Sequence, residues 1–522
     1  MRIQIAACLS LPLMTMACAG PTPDGNDPLA TTTAALTDPL SVCQQDPRVN
    51  SNMVPLQVCA GARVFFDETF NGNGRTCGTC HPASNNFTID PQFIASLPPT
   101  DPLFVFRKPI YDGKLELESD LTGTFALIRE NVDGFEDLAH KFVMRSTPHT
   151  LSLATSIARD PGDGTSAAFA ERTGWGGDGA PGNGSLRQFI DGAIKQHYTT
   201  DNNRIPGTSF RLSTETEKDQ ILAFQLALGR TADINLNNVT LTDAGATAGK
   251  ADFMNPLKGR CNHCHNNAGA NFALTGKNRN LNTGLSGAGT CCGSPTGGVP
   301  QVSGPDLQDG GFGGQGLTQP NFVAVGPQPD AFGNGTFSVP PLIEAADTGP
   351  LFHQNGFGNI ESGVAFYGTA TFQNSPAALE SNALFGGPVD VSGTTVPNIG
   401  RFLRVLNASF NLAMAAQRLT ASRTLNINYW GYRDDIQKGL LKLAAAEVQD
   451  ARDDLAGQGP DFHGPVQTSL ANVLVLLSDA QAATDPAVRR DKTTSALSAV
   501  QSAKAAFGTG MDFTLGTGNL MF

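Results

Sequence analysis

Two short motifs of cysteine and histidine hold the residues whose types and spacing could do chemistry. The pattern C-x-x-C-H occupies residues 77–81 and returns at residues 261–265. In such a motif both cysteines add to the vinyl groups of a haem, and the adjoining histidine becomes the proximal iron ligand. The sequence therefore predicts two covalently bound haem c groups. The predicted attachment residues are Cys77, Cys80, Cys261 and Cys264, and the predicted proximal ligands are His81 and His265.

A structural zinc site is the alternative for these motifs, because zinc also binds cysteines with nearby histidines. No second pair of ligands lies at finger-like spacing from either motif. An exported chain also rarely keeps reduced thiolates for structural zinc. Haem attachment is therefore the favoured interpretation.

The first residues of the chain have the pattern of an export signal. Arg2 is followed by an apolar run and then by small residues up to Ala17, which is typical of a secretory signal and too short for a membrane span. Cys18 stands where a lipidated cysteine would follow signal cleavage, and plain soluble export is the alternative. No other apolar run reaches the ~18 residues needed to cross a bilayer. We expect a periplasmic or secreted protein, either free or held at the outer membrane by a lipid anchor.

The composition limits the classes of partner. The 58 glycines and 33 prolines, with only 16% charged residues, favour haem-wrapping loops over long regular elements. The formal net charge of -12 argues against a nucleic-acid partner and gives no basic patch for an anionic membrane surface. An acidic surface would suit a basic electron-transfer partner.

The segments before the two motifs resemble each other, which predicts two similar units. A glycine, Gly61 or Gly249, opens a short amphipathic helix ahead of each motif. We therefore expect a mainly α protein with two cytochrome c-like haem domains, long Gly/Pro-rich loops and a C-terminal helical extension. The predicted boundaries are a signal over 1–18, a tether over 19–42, a first haem domain over 43–235, a second over 236–425 and the extension over 426–522.

Further local patterns predict a disulfide and several helices. Cys43 and Cys59 remain for a disulfide at the start of the mature fold, and the state of the adjacent Cys291 and Cys292 stays open. Thr214-x-x-Glu217 is a capping box that predicts a helix start. Apolar stripes at helical spacing predict core positions at Ile436, Leu440, Leu443, Leu470, Val473, Leu474 and Leu477.

The ligand opposite each proximal histidine decides what a haem does. A strong sixth ligand gives an electron-transfer haem, whereas an empty position lets the iron bind dioxygen or peroxide. His149, His353 and His463 are the histidine candidates for these positions. An ordinary surface or core role is favoured for His140 and His197, which have helical surroundings.

Several motifs occur in the order found in one bacterial superfamily. Residues 145–148 (RSTP), 175–179 (WGGDG), 339–342 (VPPL) and 352–356 (FHQNG), together with the two haem motifs, resemble the dihaem cytochrome c peroxidases and MauG proteins. This resemblance implies an exported oxidoreductase with one reactive haem and one electron-transfer haem, and a calcium ion between the domains. In the MauG-type maturases a tyrosine stands where the peroxidases have the second haem's distal methionine. Tyr367 occupies the corresponding place, and a packed ring with a bonded hydroxyl is the alternative.

Two departures from the peroxidase pattern favour dioxygen over hydrogen peroxide as the oxidant. No histidine lies between His81 and His140, and residues 186–190 (LRQFI), after Trp175, offer no acid to assist cleavage of peroxide. A reactive haem lined by apolar groups is better suited to dioxygen and an apolar substrate.

The chain is most similar to a subgroup of dihaem oxygenases that cleave rubber or hydroperoxidise unsaturated fatty acids. The similarity lies in residues 68–75, 174–179, 223–230 and 266–271. It implies that Trp175 and Phe189 act near the oxygen-binding haem, with simple packing as the alternative for this pair. It also implies a C-terminal histidine on the second haem, which favours His463 over Tyr367.

The predicted function is therefore oxidation by dioxygen at the first haem, on His81, beside Trp175 and Phe189. The second haem, on His265, is expected to be six-coordinate and to have His353 nearby. The expected substrate is apolar and unsaturated, such as polyisoprene or a fatty acid. The alternatives are a peroxidase or MauG-like enzyme that takes electrons from a small cytochrome and reduces hydrogen peroxide, and a dihaem electron carrier.

Overall fold

The computed structural model describes residues 38–107, 122–130, 143–163, 165, 171–179, 184–285, 311, 335–429 and 433–522. Helices dominate these residues and the strands are short, which confirms the predicted mainly α class. The predicted signal, Cys18, His140 and the Cys291-Cys292 pair lie outside the described residues. None of the described helices is long and apolar enough to cross a membrane.

The α-helices are α1 (Pro39–Cys43), α2 (Pro47–Asn50), α3 (Leu56–Asp67), α4 (Cys77–Cys80), α5 (Pro91–Ser96), α6 (Leu153–Ser156), α7 (Leu186–His197), α8 (Glu215–Gln225), α9 (Ala244–Met254), α10 (Cys261–Cys264), α11 (Ile360–Phe366), α12 (Ala370–Gln373), α13 (Pro376–Phe385), α14 (Thr395–Tyr429), α15 (Asp434–Ala456), α16 (Gly464–Ala482) and α17 (Pro486–Ala505). Short 3₁₀ helices cover Ala83–Asn85, Pro102–Arg107, Leu236–Asn238, Asn266–Ala268 and Thr517–Leu520.

The strands form three antiparallel pairs: β1 (Leu127–Glu130) with β2 (Val143–Ser146), β3 (Thr240–Leu241) with β6 (Gly508–Thr509), and β4 (Asn280–Leu281) with β5 (Phe337–Ser338). Because β3 and β6 pair, the C-terminal segment returns to the chain ahead of the second motif. The side chain of Arg48 also donates to the carbonyl oxygen of Leu520 at 2.7 Å. The last residues of the chain therefore contact the start of the described fold.

A glycine inside the helix that precedes each motif lets a second helix approach closely. A Cβ atom on Gly61 of α3 would lie 1.9 Å from the carbonyl oxygen of Gln220 on α8. A Cβ atom on Gly249 of α9 would lie 1.8 Å from the carbonyl oxygen of Asn398 on α14. The prediction that these helices begin at the glycines is wrong, since both begin several residues earlier. The glycines instead give the two motif segments the same helix-crossing arrangement.

The predicted capping box and disulfide are confirmed. The Thr214 hydroxyl accepts from the backbone N–H of Glu217, whose carboxylate accepts from the Thr214 N–H at 2.7 Å. Helix α8 ends at Gln225, ahead of the next glycine. Cys43 and Cys59 form a disulfide that joins α1 to α3.

The C-terminal helices pack as a layer around one long helix. Helix α14 contacts α9, α15 and α17, and α16 packs on α15 and α17. Because α14 runs from Thr395 to Tyr429, it crosses the predicted boundary at residue 425. The predicted stripe residues Ile436, Leu440, Leu443, Leu470, Val473 and Leu477 are buried in this layer, and Leu474 packs against it.

Candidate haem site

One continuous cavity lies between the two motif segments, with a volume of about 390 Å³. We call it the motif cavity. It is lined by both motif histidines and all four motif cysteines, that is by Cys77, Cys80, His81, Cys261, Cys264 and His265. Residues 184 positions apart in the chain therefore face a common space, and its volume falls within the range of cofactor sites.

The four motif cysteines are free of disulfides, and burial raises the pKa of three of them. Burial raises the pKa of Cys77 to about 11 and the pKa of Cys261 and Cys264 to about 12. Cys77, Cys261 and Cys264 are therefore neutral thiols at pH 7.

A backbone carbonyl orients the first motif histidine. Helix α4 begins at a capping box in which Thr76 and Thr79 bond each other's backbone, and His81 follows it. The Nδ1 atom of His81 lies 2.8 Å from the carbonyl oxygen of Phe87. Since a carbonyl oxygen only accepts, Nδ1 carries the proton and the lone pair is on Nε2.

The second motif histidine has the same arrangement with a distant partner. The Nδ1 atom of His265 lies 3.0 Å from the carbonyl oxygen of Pro340. Burial lowers the pKa of His81 and of His265 to about 4, while the carbonyl bonds oppose this effect. Both imidazoles are therefore neutral at pH 7, which is the form that binds iron.

These observations fit two covalently attached haems. Four cysteines without disulfides and two imidazoles with Nδ1 engaged face one cavity. The thiols would hold the porphyrins and the Nε2 atoms would ligate the irons. A bound haem would supply one-electron transfer and a site for dioxygen or peroxide.

Trp175 and Phe189 both line the motif cavity. The indole N–H of Trp175 donates to the carbonyl oxygen of Ser146 at 2.9 Å, which fixes the ring. Phe189 lies on α7, and its ring would be 3.4 Å from a Cβ atom on Gly174. Gly174 has a φ of +66°, so a larger residue would be strained there and would crowd the Phe189 ring.

The two candidates for the second haem's distal ligand lie in different places. Tyr367 lines the motif cavity, and burial, together with the nearby Cys261 and Cys264, raises its pKa above the ordinary value. His463 does not line this cavity: it precedes α16, with its ring against Phe462 and Phe507. The resemblance to the dihaem oxygenases favoured His463. The sequence could not show where this residue lies, because its position depends on how α15 and α16 pack.

The other two candidate histidines line the motif cavity. The ring of His353 stacks on Phe337 with centroids 3.8 Å apart, and it lies 6.4 Å from the Trp175 ring. His149 has a buried Nδ1 atom without a hydrogen-bond partner among the described residues. Burial lowers the pKa of His149, with a smaller opposing effect from Glu344. Both imidazoles are therefore placed to meet a group bound in the cavity.

Sequence reasoning missed two polar residues of the site. Glu130 is the one carboxylate among the described residues that line the cavity, and it forms a 3.0 Å ion pair with Arg145. The pairing of β1 with β2 brings these two together, and Glu130 belongs to none of the motifs found in the sequence. Tyr198 donates its hydroxyl proton to the sulfur of Cys77 at 3.2 Å.

The described residues contain no group of three or more His, Cys, Asp or Glu arranged to hold a metal ion. The calcium ion between the domains therefore stays a prediction.

Comparison with solved structures gives distant similarity. No family model and no curated protein matches the chain. A solved structure of a MauG-like protein associated with microbial copper homeostasis is similar at a TM-score of 0.35 and 16% sequence identity. That match covers 67% of this chain and 88% of the other chain.

Proposed function

We propose that this chain is an exported dihaem c-type oxidoreductase of the cytochrome c peroxidase and MauG type. The observation that carries the proposal is the motif cavity, which is lined by both C-x-x-C-H motifs. Both histidines there have Nδ1 bonded to a carbonyl oxygen, at 2.8 Å and 3.0 Å. Nε2 is thereby directed to act as a ligand, because an imidazole that donates from Nδ1 has its lone pair on the other nitrogen.

The reaction that we propose is oxidation of an apolar, unsaturated substrate such as polyisoprene or a fatty acid by dioxygen at the first haem. Its support is the wall around the first motif, where Ile89, Ile128, Phe189 and Ile190 meet the cavity. Such side chains bind a hydrocarbon chain and exclude water. Addition of both oxygen atoms across one C=C bond gives two carbonyl groups and needs no external reductant.

Trp175 and Phe189 would act by shape in this reaction. The bond from Trp175 to Ser146 engages the one polar atom of the indole, so only the ring is left for the cavity. Phe189 offers a second apolar surface from α7. We propose that the two rings orient the C=C bond of the substrate, which would hold it in the geometry needed for reaction with dioxygen.

We propose Tyr367 as the distal ligand of the second haem. Tyrosine is a known haem ligand, and this residue lines the cavity beside Cys261 and Cys264. The raised pKa of the free phenol means that ligation would require loss of its proton to a base or to solvent. This haem would then be six-coordinate and would serve electron transfer.

Visible and EPR spectroscopy of the purified holoprotein tests these proposals together. Two haems per chain are expected, one low-spin and one able to bind dioxygen. Incubation with polyisoprene or an unsaturated fatty acid under ¹⁸O₂ should give labelled carbonyl or hydroperoxide products. Two low-spin irons that ignore both dioxygen and peroxide would refute an enzyme function and favour an electron carrier.

A hydrogen-peroxide-reducing enzyme is the second candidate, and Glu130 is the observation that favours it. A carboxylate at the cavity wall could move the proton that peroxide cleavage needs. Its ion pair with Arg145 argues for a structural role instead. Glu130→Gln separates the two: a large loss of peroxide turnover with intact dioxygen binding would favour the peroxidase, and unchanged turnover would exclude Glu130 as its acid.

A further inference from the structure

The segment that orients His81 is tied to the C-terminal helices. Phe87, whose carbonyl oxygen accepts from His81, is buried, and its N–H donates to Pro82 at 3.0 Å. The preceding residue, Asn86, has a φ of 54° and donates from its side chain to Asp450 of α15 at 3.2 Å. A contact between residues 364 positions apart thus lies one peptide unit from the carbonyl group that orients the histidine.

Asp450 belongs to a group of three carboxyls, which we call the acid cluster: Asp454, which is buried, and Asp347 and Asp450, which are partly buried. Burial raises the pKa of all three, to about 7 for Asp347, and repulsion from neighbouring carboxylates adds to the effect. The charged groups that act on them are Glu344, Glu447, Asp453 and Arg404. Glu447 is itself bonded to Arg418, and Arg404 to Glu361.

Amide side chains of α14 hold the acid cluster in place. Asn407 and Asn411 both donate to one carboxylate oxygen of Asp347, at 2.8 Å and 2.7 Å. Asn411 also lies 3.4 Å from a carboxylate oxygen of Asp454, one helical turn beyond Asp450 on α15. Helix α15 is therefore fixed on the side that faces the His81 segment.

We propose that Asp450 is a positioning residue for the first haem, because its bond to Asn86 fixes the carbonyl group of Phe87. A firm Nδ1–H···O bond makes an imidazole a stronger electron donor to its metal. Loss of the Asp450 contact would let the segment move and weaken that bond. Helix α15 would then belong to the haem site, although none of its residues lines the motif cavity. The inference needs haem at residues 77–81, but it does not depend on the reaction.

The test compares two variants that break the contact with one that keeps it. Asn86→Gly removes the donor at a position whose φ glycine adopts freely. Asp450→Leu removes the acceptor, whereas Asp450→Asn retains an oxygen that can accept from Asn86. Asp453→Leu is the matched control, since Asp453 lies on the same helix and is exposed. Resonance Raman spectra report the iron–histidine stretch, and spectroelectrochemistry reports the midpoint potential of each haem.

Asn86→Gly and Asp450→Leu are expected to lower the iron–histidine frequency and raise the midpoint potential of the first haem. The second haem should keep its midpoint potential, and Asp450→Asn and Asp453→Leu should match the wild type. Haem content and circular dichroism show whether each variant is folded. If Asp450→Leu fails to fold, the spectra of Asn86→Gly alone test the proposal, because this variant deletes only a partly buried side chain. Wild-type values in folded Asn86→Gly with two haems would overturn the proposal.

Discussion

The Nδ1 atom of His81 lies 2.8 Å from the carbonyl oxygen of Phe87, only six residues further along the chain. The equivalent partner of His265 is the carbonyl of Pro340, 75 residues away. The first histidine is thus oriented by its own loop, whereas the second depends on a long-range contact. We expect the ligation of the second haem to be lost first when the fold loosens. Spectra followed through a urea titration would show whether the second haem changes at a lower denaturant concentration than the first.

Substitution of the two motif histidines should separate the haems. His81→Gly and His265→Gly are each expected to retain both haems, since the cysteines provide the covalent bonds. His81→Gly should lose dioxygen binding, and added imidazole should restore part of it by filling the vacated space. Visible spectra with and without imidazole measure both effects. Loss of dioxygen binding in His265→Gly alone would reverse the assigned roles.

Tyr367→Phe should change the second haem, whereas His463→Ala should not. Tyr367 lines the motif cavity and His463 does not, so only the first substitution can remove a ligand. We expect Tyr367→Phe to convert a low-spin iron to high spin in the EPR spectrum. The two variants are each other's control. A low-spin signal that is lost only in His463→Ala would contradict the proposed ligand.

Trp175→Phe and Phe189→Ala should reduce turnover of the apolar substrate while both haems stay bound. Trp175→Phe keeps an aromatic ring but loses the hydrogen bond from the indole N–H to Ser146, which lowers the free energy of unfolding by ~1 kcal/mol. Phe189→Leu, which keeps an apolar side chain, serves as the control for Phe189→Ala. Product formation and thermal unfolding are measured together. Unchanged kcat/KM in both Trp175→Phe and Phe189→Ala would show that the two residues have only a packing role.

The acid cluster should make stability depend on pH. The folded-state pKa of Asp347 is about 7, against an ordinary value of 3.8. Between these values the folded protein retains a proton that the unfolded chain has released, so the free energy of unfolding falls as pH rises from about 4 to about 7. Asp347→Asn removes this fall in the free energy of unfolding, because the amide side chain does not titrate. We expect this variant to be more stable than the wild type at pH 8, by on the order of 2 kcal/mol, and about equal at pH 4. Urea unfolding at the two pH values measures it, and an equal change at both would refute the titration.

Removal of the disulfide should lower stability without loss of haem. Cys43 and Cys59 are 16 residues apart, and closing a loop of that length stabilises a fold by ~3 kcal/mol. The double variant Cys43→Ala, Cys59→Ala should therefore unfold at a lower urea concentration. Haem content is the control, because neither residue lines the motif cavity. A stability equal to the wild type would show that α1 and α3 need no cross-link.

The amino-acid sequence alone determined the elements whose signals are local. The two C-x-x-C-H motifs, the capping box at Thr214 and the apolar stripes of α15 and α16 depend on neighbours a few residues apart, so they could be read directly. The Cys43–Cys59 pairing followed once the haem and signal cysteines had been assigned, while the state of Cys291 and Cys292 stayed open. The mainly α class followed from the same local patterns.

Only the tertiary structure decided which distant residues meet. The pairing of β1 with β2 brought Glu130 to Arg145 at the cavity wall, and the packing of α15 and α16 left His463 outside the cavity. The contact from Asn86 to Asp450 spans most of the chain. Spacing in sequence carries no information on such contacts, because they depend on how helices cross. Gly61 illustrates the limit: its position was visible, but its role became clear only with the helix that packs against it.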